Sequence, residues 1–187
     1  MKASDTDLKS LIEGVKQFMI PVYQRRFSWT ASDQRTKKMT VEKMWNDISD
    51  LMEYNDGQIH FFGSIVTMPV LGGASEVSKF IVIDGQQRLI SSFILLSAIR
   101  NEAASLKFND KSPYSHFVQK LENDYIFNGY RETEEKYKIM PAMLDRADFF
   151  DIIDGKKPAG LNGRIVSAYR YFQEHINKKT KPLKIHC

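Results

Sequence analysis

The sequence holds a single cysteine, Cys187, at its last position. Neither an internal disulfide framework nor a cysteine-based metal site can form within one molecule, and a reducing compartment is expected. Long hydrophobic runs are missing too. The longest apolar stretches, Phe61 to Val66 and Ile90 to Ile99, are broken by polar residues and fall short of the ~20 residues a membrane-crossing helix needs. The opening Met1-Lys2-Ala3-Ser4-Asp5-Thr6-Asp7 has no apolar run and carries acids, so it does not read as an export signal, and the expected location is cytoplasmic. The four histidines show no metal-ligand spacing. There is no P-loop, no Rossmann glycine pattern and no nucleophile elbow, Ser64 has no assigned base, and no internal repeat is present. A strong charge of one sign is also lacking. With 27 Lys and Arg against 23 Asp and Glu the net charge is +4, which permits nucleic-acid or phosphate partners without requiring them.

What is present fits one domain. A chain of 187 residues with 42% hydrophobic content can bury one sizeable core. Basic residues gather at Arg25-Arg26, at Arg35 with Lys37-Lys38, and at Lys178-Lys179-Lys181-Lys184, either as contacts to a polyanion or as ordinary solvated faces. The lysine-rich ending suggests a piece of a longer protein.

Apolar periodicity predicts a short helix over Leu8 to Val15 with Ser4 or Asp5 as its cap, and a strand from Lys16 to Ile20 that ends at Pro21. A second helix is expected behind Thr40, with Val41, Met44, Trp45, Ile48, Leu51 and Met52 on one stripe. Phe61 to Met68 and Phe80 to Ile83 read as a β-hairpin. After Asp84-Gly85, Leu89, Ile90, Phe93, Leu95, Leu96 and Ile99 mark a strongly buried helix. Ser112-Pro113 can open a helix through Leu121, followed by turn signals at Asn123-Asp124 and Asn128-Gly129. Tyr137 to Met140 reads as extended, Asp145 as the cap of a helix through Ile153, and Ile165 to Ile176 as a last helix that dissolves into the lysine tail.

Three segments carry candidate chemistry. In Ile83-Asp84-Gly85-Gln86-Gln87-Arg88 a strand runs into a helix. Gly85 can take a positive φ, the helix start presents unpaired N–H groups, and an arginine in the first turn can grip phosphate oxygens. Gln86 and Gln87 offer amide groups, and Asp84 could hold Mg2+ or orient a water. The alternative is that Asp84 only caps the helix and Arg88 pairs with a surface carboxylate. In Ile20-Pro21-Val22-Tyr23-Gln24-Arg25-Arg26-Phe27-Ser28-Trp29, arginines interleave with aromatics, a mixture suited to nucleotides, although the aromatics would also serve to anchor a long loop. Asp47 is a candidate partner for Arg25 or Arg26. In Phe62-Gly63-Ser64-Ile65-Val66 a glycine inside a strand pattern marks either a kink or the close approach of another group.

These three segments, in this order, resemble the N-terminal domain family of GmrSD-type modification-dependent restriction endonucleases, itself similar to the ParB and sulfiredoxin fold. The resemblance runs from about Phe18 to Arg100, and Asp145, Phe149 and Ala168-Tyr169-Arg170-Tyr171-Phe172 extend it. It implies an α/β (α+β) fold in one domain, with a small mixed sheet in a ParB-like core over about 18–100 and a helical extension over about 101–187. It further implies that a nucleoside triphosphate binds and is hydrolysed, with Mg2+, in a phage-defence system acting on modified DNA. Tyr23, Gln24, Arg25, Gly85, Gln86, Gln87 and Arg88 would then hold the phosphates. Asp84 and Arg88 would be catalytic, with Asp84 also the metal ligand, and Arg26, Arg35, Lys37 and Lys38 would face DNA. DNA cleavage in that family is attributed to an HNH nuclease domain, which nothing here supplies, so an HNH domain or subunit is an expected partner. A module that binds nucleotide or DNA without turnover and controls that nuclease is the alternative. No membrane partner is expected, and self-association stays open.

Overall fold

The computed structural model describes residues 4–31, 40–54, 59–71, 77–106, 112, 114–129, 131, 133–160 and 163–184, with the backbone alone for Tyr54 and 181–184. The chain opens with α1 (Leu8–Ile12), which Asp7 caps by accepting from Ser10 N at 2.7 Å, in place of Ser4 or Asp5. Strand β1 (Lys16–Met19) follows and stops before Pro21. Next comes α2 (Val41–Tyr54), where Thr40 Oγ1 accepts from Lys43 N at 3.1 Å. Strands β2 (Val66–Pro69) and β3 (Ser78–Asp84) lead into α3 (Gln86–Ser105). The second half contributes α4 (Phe117–Leu121), β4 (Ile139–Met140), α5 (Arg146–Ile153) and α6 (Arg164–Lys184).

The sheet is mixed, in the order β2-β3-β1-β4. Strand β1 lies parallel to β3, with Phe18 opposite Phe80, and parallel to β4, with Phe18 opposite Ile139. Because β4 comes from residues 139–140, the second half completes the sheet as well as covering it. The expected hairpin forms from β2 and β3, antiparallel with an irregular register between Val66 and Thr67, but it is shorter than predicted: residues 61–65 are not strand.

Helix α3 is buried on most of its faces, polar positions included, which places it inside the core rather than on it. Leu89, Ile90, Phe93, Ile94 and Ala98 are at most 1% exposed. Burying each of the larger side chains contributes roughly 1.5–3 kcal/mol. Ser91, Ser92 and Ser97 go inside with them; Ser92 and Ser97 bond the carbonyls one turn back, whereas Ser91 Oγ has no partner among the described residues. Phe172, Ala168 and Ile165 of α6 and Phe149 and Ile152 of α5 share this core.

Two further expectations change. The helix predicted from Pro113 is confined to α4 and widens into a π-helical turn over Glu122–Ile126. The last helix does not dissolve after Ile176 but keeps its backbone geometry to Lys184, and one i,i+4 pair, Glu174 to Lys178 at 2.8 Å, supports its exposed side.

Candidate functional site

The site is best built outward from Gly85. Strand β3 ends at Asp84 and α3 begins at Gln86, so a single residue must turn the chain, and it does so at φ +87°. The first turn of α3 has neither a side-chain cap nor an acidic residue. Its leading amides therefore have no partner of the usual kind, and they sit at the positive end of a 20-residue helix. A side chain at position 85 would also collide with its neighbours, since a Cβ would lie 2.9 Å from both Ile65 Cγ1 and the Ser64 carbonyl oxygen.

The two glutamines explain themselves once their burial is known. Each is 6% exposed. Gln86 Nε2 donates to the Arg25 carbonyl at 3.1 Å and Gln87 Nε2 to the Arg26 carbonyl at 3.3 Å. Gln87 Oε1 accepts from Ser28 N at 2.7 Å. From the other side, Gln24 Nε2 donates to the Ile83 carbonyl at 3.1 Å. The aromatic-arginine loop is thus sewn to the turn. An amide side chain suits this task because it donates and accepts at once, whereas a carboxylate or ammonium would leave one backbone group unmet. These side chains are engaged by the loop rather than open to a phosphate, so at 86 and 87 only the backbone amides remain for an anion. Gln86 Oε1 is buried without a hydrogen-bond partner among the described residues, as are Ser91 Oγ and Arg100 Nε further along α3.

Arg88 secures the third segment. Its Nη1 donates to the Ser64 carbonyl at 3.2 Å. The guanidinium lies so close under Gly63, at φ +100°, that a Cβ there would be 2.5 Å from Nε. The glycine within the aromatic run therefore permits a close approach, and the approaching group is Arg88. Arg88 pairs with this backbone and not with a surface carboxylate.

Around this knot, Arg25, Tyr23 and Asp84 face solvent, Tyr23 at 74% exposure. Phe27 and Trp29, at 4% and 9%, are the anchors that hold the loop to the core. Arg26 is committed elsewhere: its Nε meets Asp145 Oδ1 at 3.0 Å and its Nη2 the Leu144 carbonyl at 3.0 Å. The partner expected for it, Asp47, pairs instead with His60 at 3.3 Å. Asp145 has no capping hydrogen bond to α5. Its other oxygen takes Phe27 N at 2.7 Å, because a buried carboxylate gains more from two converging donors than from one helix amide. Arg164 of α6 adds a bond to the Ser28 carbonyl. The roles of Asp145, Ser28 and Arg164 had no local sequence signal, being contacts over more than a hundred residues, or over 59 for Ser28 with Gln87. Arg35, Lys37 and Lys38 lie outside the described residues. Two cavities elsewhere, one beside Lys138 and one beside Tyr169, include none of the turn's residues.

The geometry thus unites the three segments that the sequence sets apart. The sequence profile described as "GmrSD restriction endonuclease, N-terminal domain" matches residues 8–186. Comparison with curated proteins finds no match.

Proposed function

The chain belongs to the family of GmrSD restriction endonuclease N-terminal domains, which makes it a component of a restriction system, and we propose that it binds a nucleoside triphosphate at the Asp84–Arg88 turn and hydrolyses it to control a partner HNH nuclease on modified DNA. One observation carries the reading: two loops distant in sequence are bonded around the uncapped start of α3, leaving Arg25 exposed beside it with no side-chain partner among the described residues. Backbone amides of 86–88 would take phosphate oxygens, with Arg25 supplying mobile charge and Arg88 fixed charge. Transfer of a terminal phosphoryl group to water needs little covalent help from a protein. It needs positioning and donors set where negative charge spreads, and both glutamine bonds and the Gly63 contact keep these donors from reorganising.

The donor set suits a magnesium ion held chiefly by the nucleotide. Asp84 is an exposed carboxylate without a recorded partner, and among the described residues no three His, Cys, Asp or Glu side chains cluster as a metal cage. Mg2+ characteristically binds through one or two carboxylates plus substrate phosphates, and when bound it would supply charge neutralisation there.

A second reading is favoured by a different observation. Asp84 has no histidine or second carboxylate bonded to it to relay a proton from an attacking water, which suits a switch that binds nucleotide without turning it over. Phosphate release and ligand-dependent melting on the purified protein separate the two. Arg25→Ala is the decisive variant, since its side chain supports nothing else in the fold. Nucleotide affinity should fall by about tenfold or more with the melting temperature of the free protein unchanged. Unaltered affinity in this variant would refute the placement of the site.

A further inference from the structure

The far end of α3 holds a second basic site, independent of the turn. Residues 101 and 104 lie about 22 and 27 Å along the helix from its start, at about 1.5 Å per residue. There a cavity of about 510 Å³ opens between α3, the loop after α5 and the flank of α6, in the size range of small-ligand sites. Lys156, Lys157 and Arg170 line it together with Asn101, Tyr169 and Gln173, and no acidic side chain is among the lining residues.

Two features make this more than a cluster of surface lysines. Tyr169 is only 6% exposed, and its hydroxyl accepts from Asn101 Nδ2 at 2.6 Å. That bond uses the oxygen as acceptor and leaves the O–H as a donor with no acceptor among the described residues, so a buried tyrosine offers a proton at the cavity wall. The second feature is charge that local structure does not consume. Helix C-termini attract cations, but at the end of α5 this need is already met by the buried Arg100, which donates to the Ile152 and Ile153 carbonyls at 3.3 and 2.6 Å. Lys156 is partly neutralised by Asp154 at 3.3 Å. Lys157 has no ion-pair or hydrogen-bond partner among the described residues.

We infer that this cavity is an anion site that takes a phosphate group, through the Lys157 ammonium and the Tyr169 hydroxyl. The group belongs either to a free nucleotide or to the backbone of a nucleic acid, and both present the same oxygens. In either case the site is not the triphosphate turn: it shares no residue with it.

The test titrates wild type, Lys157→Ala and Tyr169→Phe with inorganic phosphate, with a nucleoside monophosphate and with a short DNA duplex, in low-salt buffer free of other phosphate. The same titrations in an Arg25→Ala background take the turn out of account. Each substitution is expected to weaken binding of at least one probe by about tenfold, the loss of one charge-assisted contact, with the melting temperature retained in Lys157→Ala and lowered in Tyr169→Phe, where Asn101 Nδ2 loses its acceptor; titration well below that melting temperature keeps both variants folded. An effect confined to the duplex, with a salt dependence shallower by about one ion in Lys157→Ala, assigns the group to a backbone phosphodiester. An effect on the monophosphate assigns it to a free nucleotide. Unchanged affinity for all three probes in both variants overturns the inference.

Discussion

If Arg88 sits where it does because position 63 carries no side chain, the two residues must be energetically coupled, and Gly63→Ala measures that coupling. The new Cβ would lie 2.5 Å from Arg88 Nε, 2.7 Å from Cζ and 3.0 Å from Nη2, at a residue whose φ is +100°. The backbone conformation costs a non-glycine residue about 1–2 kcal/mol whatever happens to its neighbours. The clash is relieved by moving the guanidinium, because the atoms struck belong to the end of a flexible side chain. Relief forfeits the bond to the Ser64 carbonyl, about 1 kcal/mol for a partly exposed charged donor. Gly63→Ala should therefore destabilise by about 2–3 kcal/mol and Arg88→Ala by about 1 kcal/mol, while the double variant costs no more than Gly63→Ala alone, since the arginine contact can be lost only once. The shortfall from additivity, about 1 kcal/mol, is within the range expected for residues in contact. Urea unfolding of the four proteins gives the cycle, provided the slopes agree. Additive free energies would mean that Arg88 does not occupy the space under Gly63, and the arrangement of the site would fall with it.

Other outcomes follow from the same geometry. Asp145→Ala removes a carboxylate 5% exposed that receives both Phe27 N and Arg26 Nε. The orphaned buried amide should cost about 2–3 kcal/mol, read as a lowered urea midpoint with nucleotide binding weakened alongside, because the loop is released. Gln87→Leu keeps the volume but leaves Ser28 N and the Arg26 carbonyl unmet. A loss of about 1–3 kcal/mol is expected, and stability equal to wild type by thermal melting would remove the glutamine from its anchoring role. Burial beside Lys16 lowers the Lys138 ammonium from 10.5 to about 8. Between those values the unfolded chain holds a proton that the folded one has released, so this group makes stability rise with pH from about 8 to 10.5 and contributes no slope below. Denaturant unfolding across that window should show the rise in wild type and its loss in Lys138→Met; equal slopes would contradict it.

Much of this could be read from the sequence wherever periodicity and turn chemistry act locally. Helix α3 was visible in the spacing of Leu89, Ile90, Phe93, Leu95, Leu96 and Ile99, β3 in Phe80 to Ile83, and the left-handed corner in the glycine that separates them. Gly63 was legible as a mark without a meaning, since either a kink or a close approach would produce it and only the fold reveals Arg88 beneath. The hydrogen bonds of the glutamines to the loop carried no local signal, for a physical reason. A polar side chain at a helix start looks equally suited to a ligand and to a loop carbonyl, and which one it meets depends on a chain segment some sixty positions away. Asp145 was read as a cap for the same reason: a local rule was applied where a distant arginine and amide compete better.

This division of labour changes what the Asp84–Arg88 segment is for. If Gln86 and Gln87 were ligand contacts, their loss would act on binding and spare the fold. Bonded as they are to the Arg25 and Arg26 carbonyls, they instead determine where the arginine loop sits relative to the amides of α3. Gly85 and Arg88 do the same for the segment at 63–65. The segment is therefore a clasp whose glutamine and arginine side chains face two loops, and the proposed anion would meet its backbone N–H groups. A clasp of this kind couples stability to ligand affinity in one direction. Changes to the glutamines or to Gly63 should lower both together, whereas Arg25→Ala should lower affinity alone, because Arg25 is gripped through its carbonyl and not through its guanidinium.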